Sequence, residues 1–163
     1  MQLDLSTDQL CGQLVVGGFA GPALSSTFRD ALAAGRRAGA ILFRRNIETV
    51  GQVATLNRSI AAAAPASTPP FIAVDQEGGR VGRLPEPFMQ LPPMRQLGEI
   101  NDLDLTARVG EQLARELAAL GFNLDFAPVM DVDTNPDNPI IGDRSFGRDS
   151  RTVMQHGVAF LRG

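Results

Sequence analysis

Lysine, tryptophan and tyrosine are missing from this chain, and all 15 basic side chains are arginine. Without lysine there is no Schiff-base nucleophile and no phosphate-loop lysine. A single histidine, His156, leaves little material for a Ser-His-Asp triad or a multi-histidine metal site. A single cysteine, Cys11, rules out an internal disulfide framework, and in its short apolar segment it reads as a small buried hydrophobe. The lack of tryptophan and tyrosine removes large aromatic stacking platforms. Positive charge is not in excess either: the net charge of -3 gives no footprint for nucleic acid or an anionic membrane surface. No apolar run approaches the roughly 20 residues of a membrane-spanning helix. The start, Met1 to Leu5, lacks the basic region and apolar stretch of a secretory leader. The expectation from these absences is a cytoplasmic protein that binds neither nucleic acid nor membrane.

The 163 residues are enough for one domain with a sizeable core, and 44% hydrophobic with 20% charged residues suits a globular chain. Strand-like and helix-like segments alternate. A short helix over Thr7 to Gly12 leads. The first strand spans Leu14 to Gly18, and its helix spans Leu24 to Arg36 with Ser25 or Ser26 as N-cap. The second strand, Ala40 to Phe43, precedes a helix from Thr49 to Ala63 with Val50, Val53, Asn57 and Ile60 on one face. Phe71 to Val74 forms the third strand. A proline- and glycine-rich loop follows it, and then a helix from Leu103 to Leu120, where Leu105, Val109, Leu113, Leu117 and Leu120 recur at helical spacing. Asn123 to Ala127 is the fourth strand, Pro128 to Arg148 another long loop, and Ser150 to Arg162 the last helix. This alternation predicts an α/β fold with a parallel sheet, either a barrel or an open doubly wound sheet. The long loops follow the third and fourth strands, which is where a (β/α)8 barrel builds its site. No GxGxxG loop follows the first strand, which weighs against a dinucleotide-binding sheet.

Three clusters carry polar chemistry at the strand ends. In Asp75-Gln76-Glu77-Gly78-Gly79-Arg80-Val81-Gly82-Arg83, an apolar strand stops at a carboxylate. Asp75 can accept from neighbouring hydroxyls, and an arginine fork can donate to sugar or acyl oxygens. The two glycines permit a tight turn and room for a ligand. The same residues also fit an Asp–Arg ion pair that staples a loop. Asp125, Asp131 and Asp133 form the second cluster. Asp125 alternates with apolar neighbours and can point into a barrel interior, whereas the two loop aspartates suit turn-making; calcium-loop spacing and zinc-type histidines are both missing. In the third cluster, Arg144 sits between Asp143 and Ser145 and reads either as a second ligand donor or as half of a pair with a local carboxylate. His156 falls inside the last helix and reads as a packing or surface residue.

These segments together resemble glycoside hydrolase family 3, closest to its β-N-acetylglucosaminidase branch. The resemblance rests on Gly39 to Asn46, Val74 to Arg83, Leu91 to Met94, Asn123 to Val132 and Ile141 to Gly147, in the family's order and over most of the chain. It implies that residues 1–163 form the N-terminal half of a catalytic TIM barrel, its first four βα units. It also implies removal of terminal β-linked N-acetylglucosamine with retention, from carbohydrate substrates such as muropeptides. Asp75, Arg83 and Arg144 correspond to substrate-binding residues of the family, and neither a metal nor an organic cofactor is implied. The family's Lys-His-Phe-Pro-Gly-His-Gly stretch, its acid/base histidine and its nucleophilic aspartate match no residue here. The expectation is therefore that no catalytic residue lies in this chain and that it does not cut glycosides alone. Its protein partner would be the missing C-terminal half, or another copy joined through exposed barrel edges. A family 3 β-glucosidase and a non-catalytic sugar-binding or assembly half-barrel remain as alternatives.

Overall fold

In a computed structural model, residues 5–163 are described; Met1 to Asp4, on which most of the leader reading rests, lie outside them. The chain divides into two compact units. The first takes in the residues up to Val74 together with Arg83–Pro87 and Ala118–Asp125. The second comprises Asp75–Gly82, Phe88–Leu117 and Phe126–Gly163.

The first unit is built on a four-stranded sheet of β1 (Val16–Gly17), β2 (Gly39–Leu42), β3 (Phe71–Val74) and β4 (Leu124–Asp125). The strands lie side by side in sequence order and every pair is parallel. An open doubly wound sheet reverses strand order at a switch point; this sheet has no reversal, as in a barrel. Parallel strands need a long return connection, and helices supply it. Helix α1 (Thr7–Gly12) leads, α2 (Ser26–Ala33) joins β1 to β2, and α3 (Val50–Ala63) joins β2 to β3. Ser6 caps α1 in a reciprocal box with Gln9, Ser25 caps α2 and Thr49 caps α3. Leu32, Ala40, Leu42, Val53, Ile60, Ala73 and Val74 are sealed from solvent between helices and sheet. Asn57, on the apolar face of α3, is also buried, and its amide donates to the Leu120 carbonyl at 3.0 Å.

The second unit carries α4 (Met94–Ile100), most of α5 (Leu103–Ala119) and α6 (Ser150–Arg162), with Asp149 as N-cap of α6. Helix α4 was not expected in the loop after β3; the prolines at 92 and 93 end just before it, where a first helical turn tolerates them. The buried face of α5 is Thr106, Gly110, Leu113 and Leu117, rotated from the Leu105–Val109 stripe that periodicity suggested. Contact with α6 explains the rotation. A Cβ on Gly110 would overlap the Phe160 carbonyl, and the Thr106 hydroxyl meets His156 Nδ1 at 2.8 Å. His156 is fully buried and its ring stacks on Phe146 at 5.5 Å between centroids, so it packs the helix interface. Cys11 is exposed, contrary to the buried reading, because α1 turns it away from Gly12, the one buried residue of that helix. No helix among the described residues is long and apolar enough to cross a membrane.

Candidate functional site

The residues singled out from the sequence fall in different units. Arg83 is half-buried in the first; Asp75, directly after the last residue of β3, is half-buried in the second, as is Arg144. Within the second unit, the structure links Asp75 and Arg144 electrostatically. The Asp75 carboxylate is one of the charges that hold the Arg144 guanidinium above its usual pKa.

The loop after Asp75 forms a tight turn. The Glu77 amide donates to the Val81 carbonyl at 2.9 Å, and the Val81 amide returns to Gly78 at 3.1 Å. Gly78 and Gly79 have φ of 93° and 54°, which is why glycine is needed twice in succession. They do not leave room for a ligand, as the sequence suggested. A Cβ on Gly78 would press on Pro92 and Leu91, and one on Gly79 would press on Pro93. The glycines let this turn pack against the strand of chain that leads into α4. Arg80 is engaged by the loop at residues 139–143. Its guanidinium reaches across to donate to the carbonyls of Pro139, Ile140 and Ile141 and pairs loosely with Asp143 at 3.8 Å.

The carboxylate that pairs with Arg144 is not a local one. The arginine lies in a 3-10 turn, Gly142–Arg144, and its partner is Glu77, 67 residues earlier. Nε donates to Oε2 and Nη2 to Oε1, both at 2.7 Å, in a fork-to-fork pair. Nη1 donates to the Ile140 carbonyl at 3.1 Å. Glu77 is 6% exposed and Arg144 22% exposed at the side chain. The Glu77 hydrogen bonds are the largest influence raising the Arg144 pKa; burial opposes them, and the charges of Glu77, Asp131 and Asp75 add to them. A guanidinium has five N–H donors. Three are committed here, so at most two remain for a ligand. Glu77 was not singled out from the sequence, and a pair 67 residues apart leaves no local spacing signal to find it by.

The aspartate cluster divides by role. Asp133 is buried, and its Oδ2 takes a 2.8 Å bond from Arg95 Nη2. That bond is the main reason its pKa lies below the usual range; burial acts against it, and the Arg95 and Arg148 charges reinforce it. Asp133 is a structural anchor. Asp131 is exposed, with its charge bearing on Arg144. Asp125 ends β4 and is half-buried in the first unit. No cluster of three or more histidine, cysteine, aspartate or glutamate side chains able to hold a metal occurs among the described residues. In the second unit, then, Arg144 is paired with Glu77 and feels the charges of Asp131 and Asp75, while Arg80 shares the Ile140 carbonyl with it. Donors and acceptors in one unit suit a hydroxyl-bearing molecule that both donates and accepts. No histidine lies among these groups, since His156 is sealed against Thr106 and Phe146.

Known proteins share the sequence pattern and the fold of this chain. The model of the family described as "Glycosyl hydrolase family 3 N terminal domain" matches residues 6–163. A beta-hexosaminidase of Nitrosomonas eutropha is 43% identical over 150 residues, covering 88% of this chain and 42% of the relative. A glycoside hydrolase family 3 beta-N-acetylglucosaminidase from Paenibacillus sp. superposes with a TM-score of 0.91 at 37% identity, covering 97% of this chain and 30% of that one. NagZ from Neisseria gonorrhoeae in complex with N-trifluoroacetyl-D-glucosamine superposes with a TM-score of 0.83 at 36% identity, covering 91% of this chain and 45% of that one. The chain thus spans less than half the length of each of these proteins.

Proposed function

The chain belongs to glycosyl hydrolase family 3, and from that membership we propose that it supplies the sugar-binding part of a β-N-acetylhexosaminidase acting on terminal β-linked N-acetylglucosamine with retention. The observation that carries this reading is the Glu77–Arg144 fork, with Asp75 and Asp131 bearing on the same guanidinium, in the loops of a family 3 domain. Asp75 accepts from ring hydroxyls and Arg144 orients the sugar and its acetamido group; Arg83 keeps the substrate-binding part that the family resemblance gives it. Retaining hydrolysis also needs a nucleophile on one face of the sugar and a proton donor at the leaving oxygen. These come from other parts of the whole protein, because no residue here corresponds to either. Hydroxyl recognition of this kind calls on no metal or organic cofactor.

The substrates that fit are cell-wall-derived muropeptides met in the cytoplasm, which places the enzyme in peptidoglycan recycling. The protein partner is a complementary set of βα units, in the same polypeptide or another copy. In support, β1 and β4 each have a strand neighbour on one side only among the described residues, and Leu14 and Val15 beside β1 are 86% and 42% exposed.

The test combines turnover and binding on the purified 163-residue chain. A chromogenic N-acetylglucosaminide should not be hydrolysed. N-acetylglucosamine should bind in an NMR titration, more tightly than glucose, and Asp75→Asn or Arg144→Met should remove that binding. Turnover by the pure chain would overturn the division of labour. Binding that survives both substitutions would overturn the site.

A further inference from the structure

We propose that Arg95 is a positioning residue for Arg144, a role that rests on the sugar-binding reading above. Arg95 sits on α4 with a side chain 16% exposed. Its Nη2 donates to Asp133 Oδ2 at 2.8 Å and to the Gly142 carbonyl at 3.0 Å, and its Nε donates to the Ser145 carbonyl at 3.2 Å. Gly142 stands two residues before Arg144 and Ser145 one after, so one guanidinium grips the backbone on both sides of it. The Gly142 carbonyl also accepts from the Ser145 amide at 3.3 Å, so Arg95 adds a side-chain bond to the turn that carries Arg144. One helical turn further along α4, Gly98 lies so close to Phe146 that any Cβ there would overlap its carbonyl. Helix α4 therefore holds the loop at three neighbouring places.

Other bonds fix the same segment. The Asp133 amide donates to Gly147 at 3.1 Å, and the Ser145 hydroxyl, with one hydrogen to give, lies within bonding distance of the carbonyls of Asp131 and Gly147. Arg80 grips the carbonyls of residues 139–141 from the other end, but its side chain is 48% exposed, so water can replace it. Arg95, with 16% of its side chain exposed, is harder for water to replace. The task needs a planar fork with several donors in fixed directions; a lysine would keep the charge beside Asp133 and lose the grip on two carbonyls. With the backbone fixed by Arg95 and the guanidinium fixed by Glu77, the remaining donors of Arg144 are held in one place before any sugar arrives, which is the condition for tight, oriented binding.

The experiment compares the chain with its Arg95→Lys and Asp133→Asn variants at a temperature well below unfolding. The second variant weakens the clamp without changing core volume, should the first not fold. One readout needs no ligand: the side-chain Nε–H resonance of Arg144 in a 15N-labelled sample, protected by Glu77, should shift and exchange faster in both variants. The other is affinity for N-acetylglucosamine by NMR titration, which should fall by about tenfold, the worth of one or two charge-assisted hydrogen bonds of positioning. An unchanged Arg144 signal, or an affinity within twofold of the parent chain, overturns the proposal. If the parent chain itself binds no N-acetylglucosamine, the sugar-binding reading fails, and the Arg144 signal alone then decides whether Arg95 positions it.

Discussion

Replacing Glu77 by glutamine tests the site at its least ambiguous contact. The carboxylate and the guanidinium share two bonds of 2.7 Å, with 6% and 22% of the side chains exposed. Glutamine has nearly the same volume, so packing is preserved. One of its two terminal atoms still accepts from Arg144. The other becomes an NH2 group facing an N–H donor, so one charge-assisted bond is lost and a donor–donor contact replaces it. A net bond to a charged group is worth about 1.5–3 kcal/mol, and the partial exposure of Arg144 argues for the lower part of that range. We expect Glu77→Gln to cost about 2 kcal/mol, a fall of about 6 °C in the thermal midpoint for a chain of this length. Circular dichroism melts and urea titrations measure it. The sign in a second background makes the argument refutable. After Arg144→Met, Glu77 is a buried carboxylate without its cation, so Glu77→Gln should there be neutral or stabilising. The coupling between the two positions should be about 2 kcal/mol in a double-mutant cycle. An equal loss in both backgrounds would show that the pair is not what holds Glu77 in place.

Two further outcomes follow from packing and protonation. Alanine at Gly98 must push α4 off the Phe146 carbonyl, whereas alanine at Gly51, on the open face of α3, meets nothing within 4 Å. The first should cost about 3 kcal/mol or more and the second should stabilise by about 0.5–1 kcal/mol, so thermal melts of the two variants should move in opposite directions. The Thr106 hydroxyl lies within bonding distance of both the Asp102 carbonyl and His156 Nδ1, and His156 Nε2 is buried with no hydrogen-bond partner. Burial holds the His156 pKa below its usual value. The unfolded chain takes up that proton near pH 6.5, so the contribution of His156 is complete above this pH and declines as pH falls below it. Urea midpoints should be lower at pH 5.5 than at pH 7.5, and His156→Phe should flatten the difference; equal midpoints in the parent chain would contradict the buried neutral ring.

What the sequence disclosed and what it hid divide along local and non-local physics. Phe71 to Val74 and Ser150 to Arg162 have the bounds expected from the sequence, because the signals for both are local to the segment. The strands at β1 and β4 shrank to two residues each, since pairing from one neighbour alone decides their length. Helix α4 was hidden because seven residues flanked by prolines carry too few turns for a periodic signal. Among site residues, Asp75 was visible as a carboxylate ending a strand. Arg144 was visible only as a charged residue in a glycine-flanked loop, with Asp143 its obvious partner. That Arg80 would take Asp143 and Glu77 would take Arg144 depends on which loops meet, and no spacing along the chain encodes that.

With every cation an arginine, charge alone cannot mark the one that meets a ligand, but the use of donors can. Arg80 spends its guanidinium on three backbone carbonyls, and Arg95 on two carbonyls and a buried aspartate that Arg148 also approaches. Both are matched to the protein itself. Arg144 differs in degree: Glu77 engages one edge and fixes its direction, Nη1 goes to the Ile140 carbonyl, and two N–H donors remain. A guanidinium held on one edge by a buried acid is pre-oriented and still has donors to give, while exposed Asp131 and half-buried Asp75 offer acceptors in the same unit. All three arginines meet both a carboxylate and backbone carbonyls, so what separates them is how many donors stay uncommitted. On the sugar-binding proposal the two substitutions are distinguishable: losing Arg95 should blur the position of the site, and losing Arg144 should remove the donor itself.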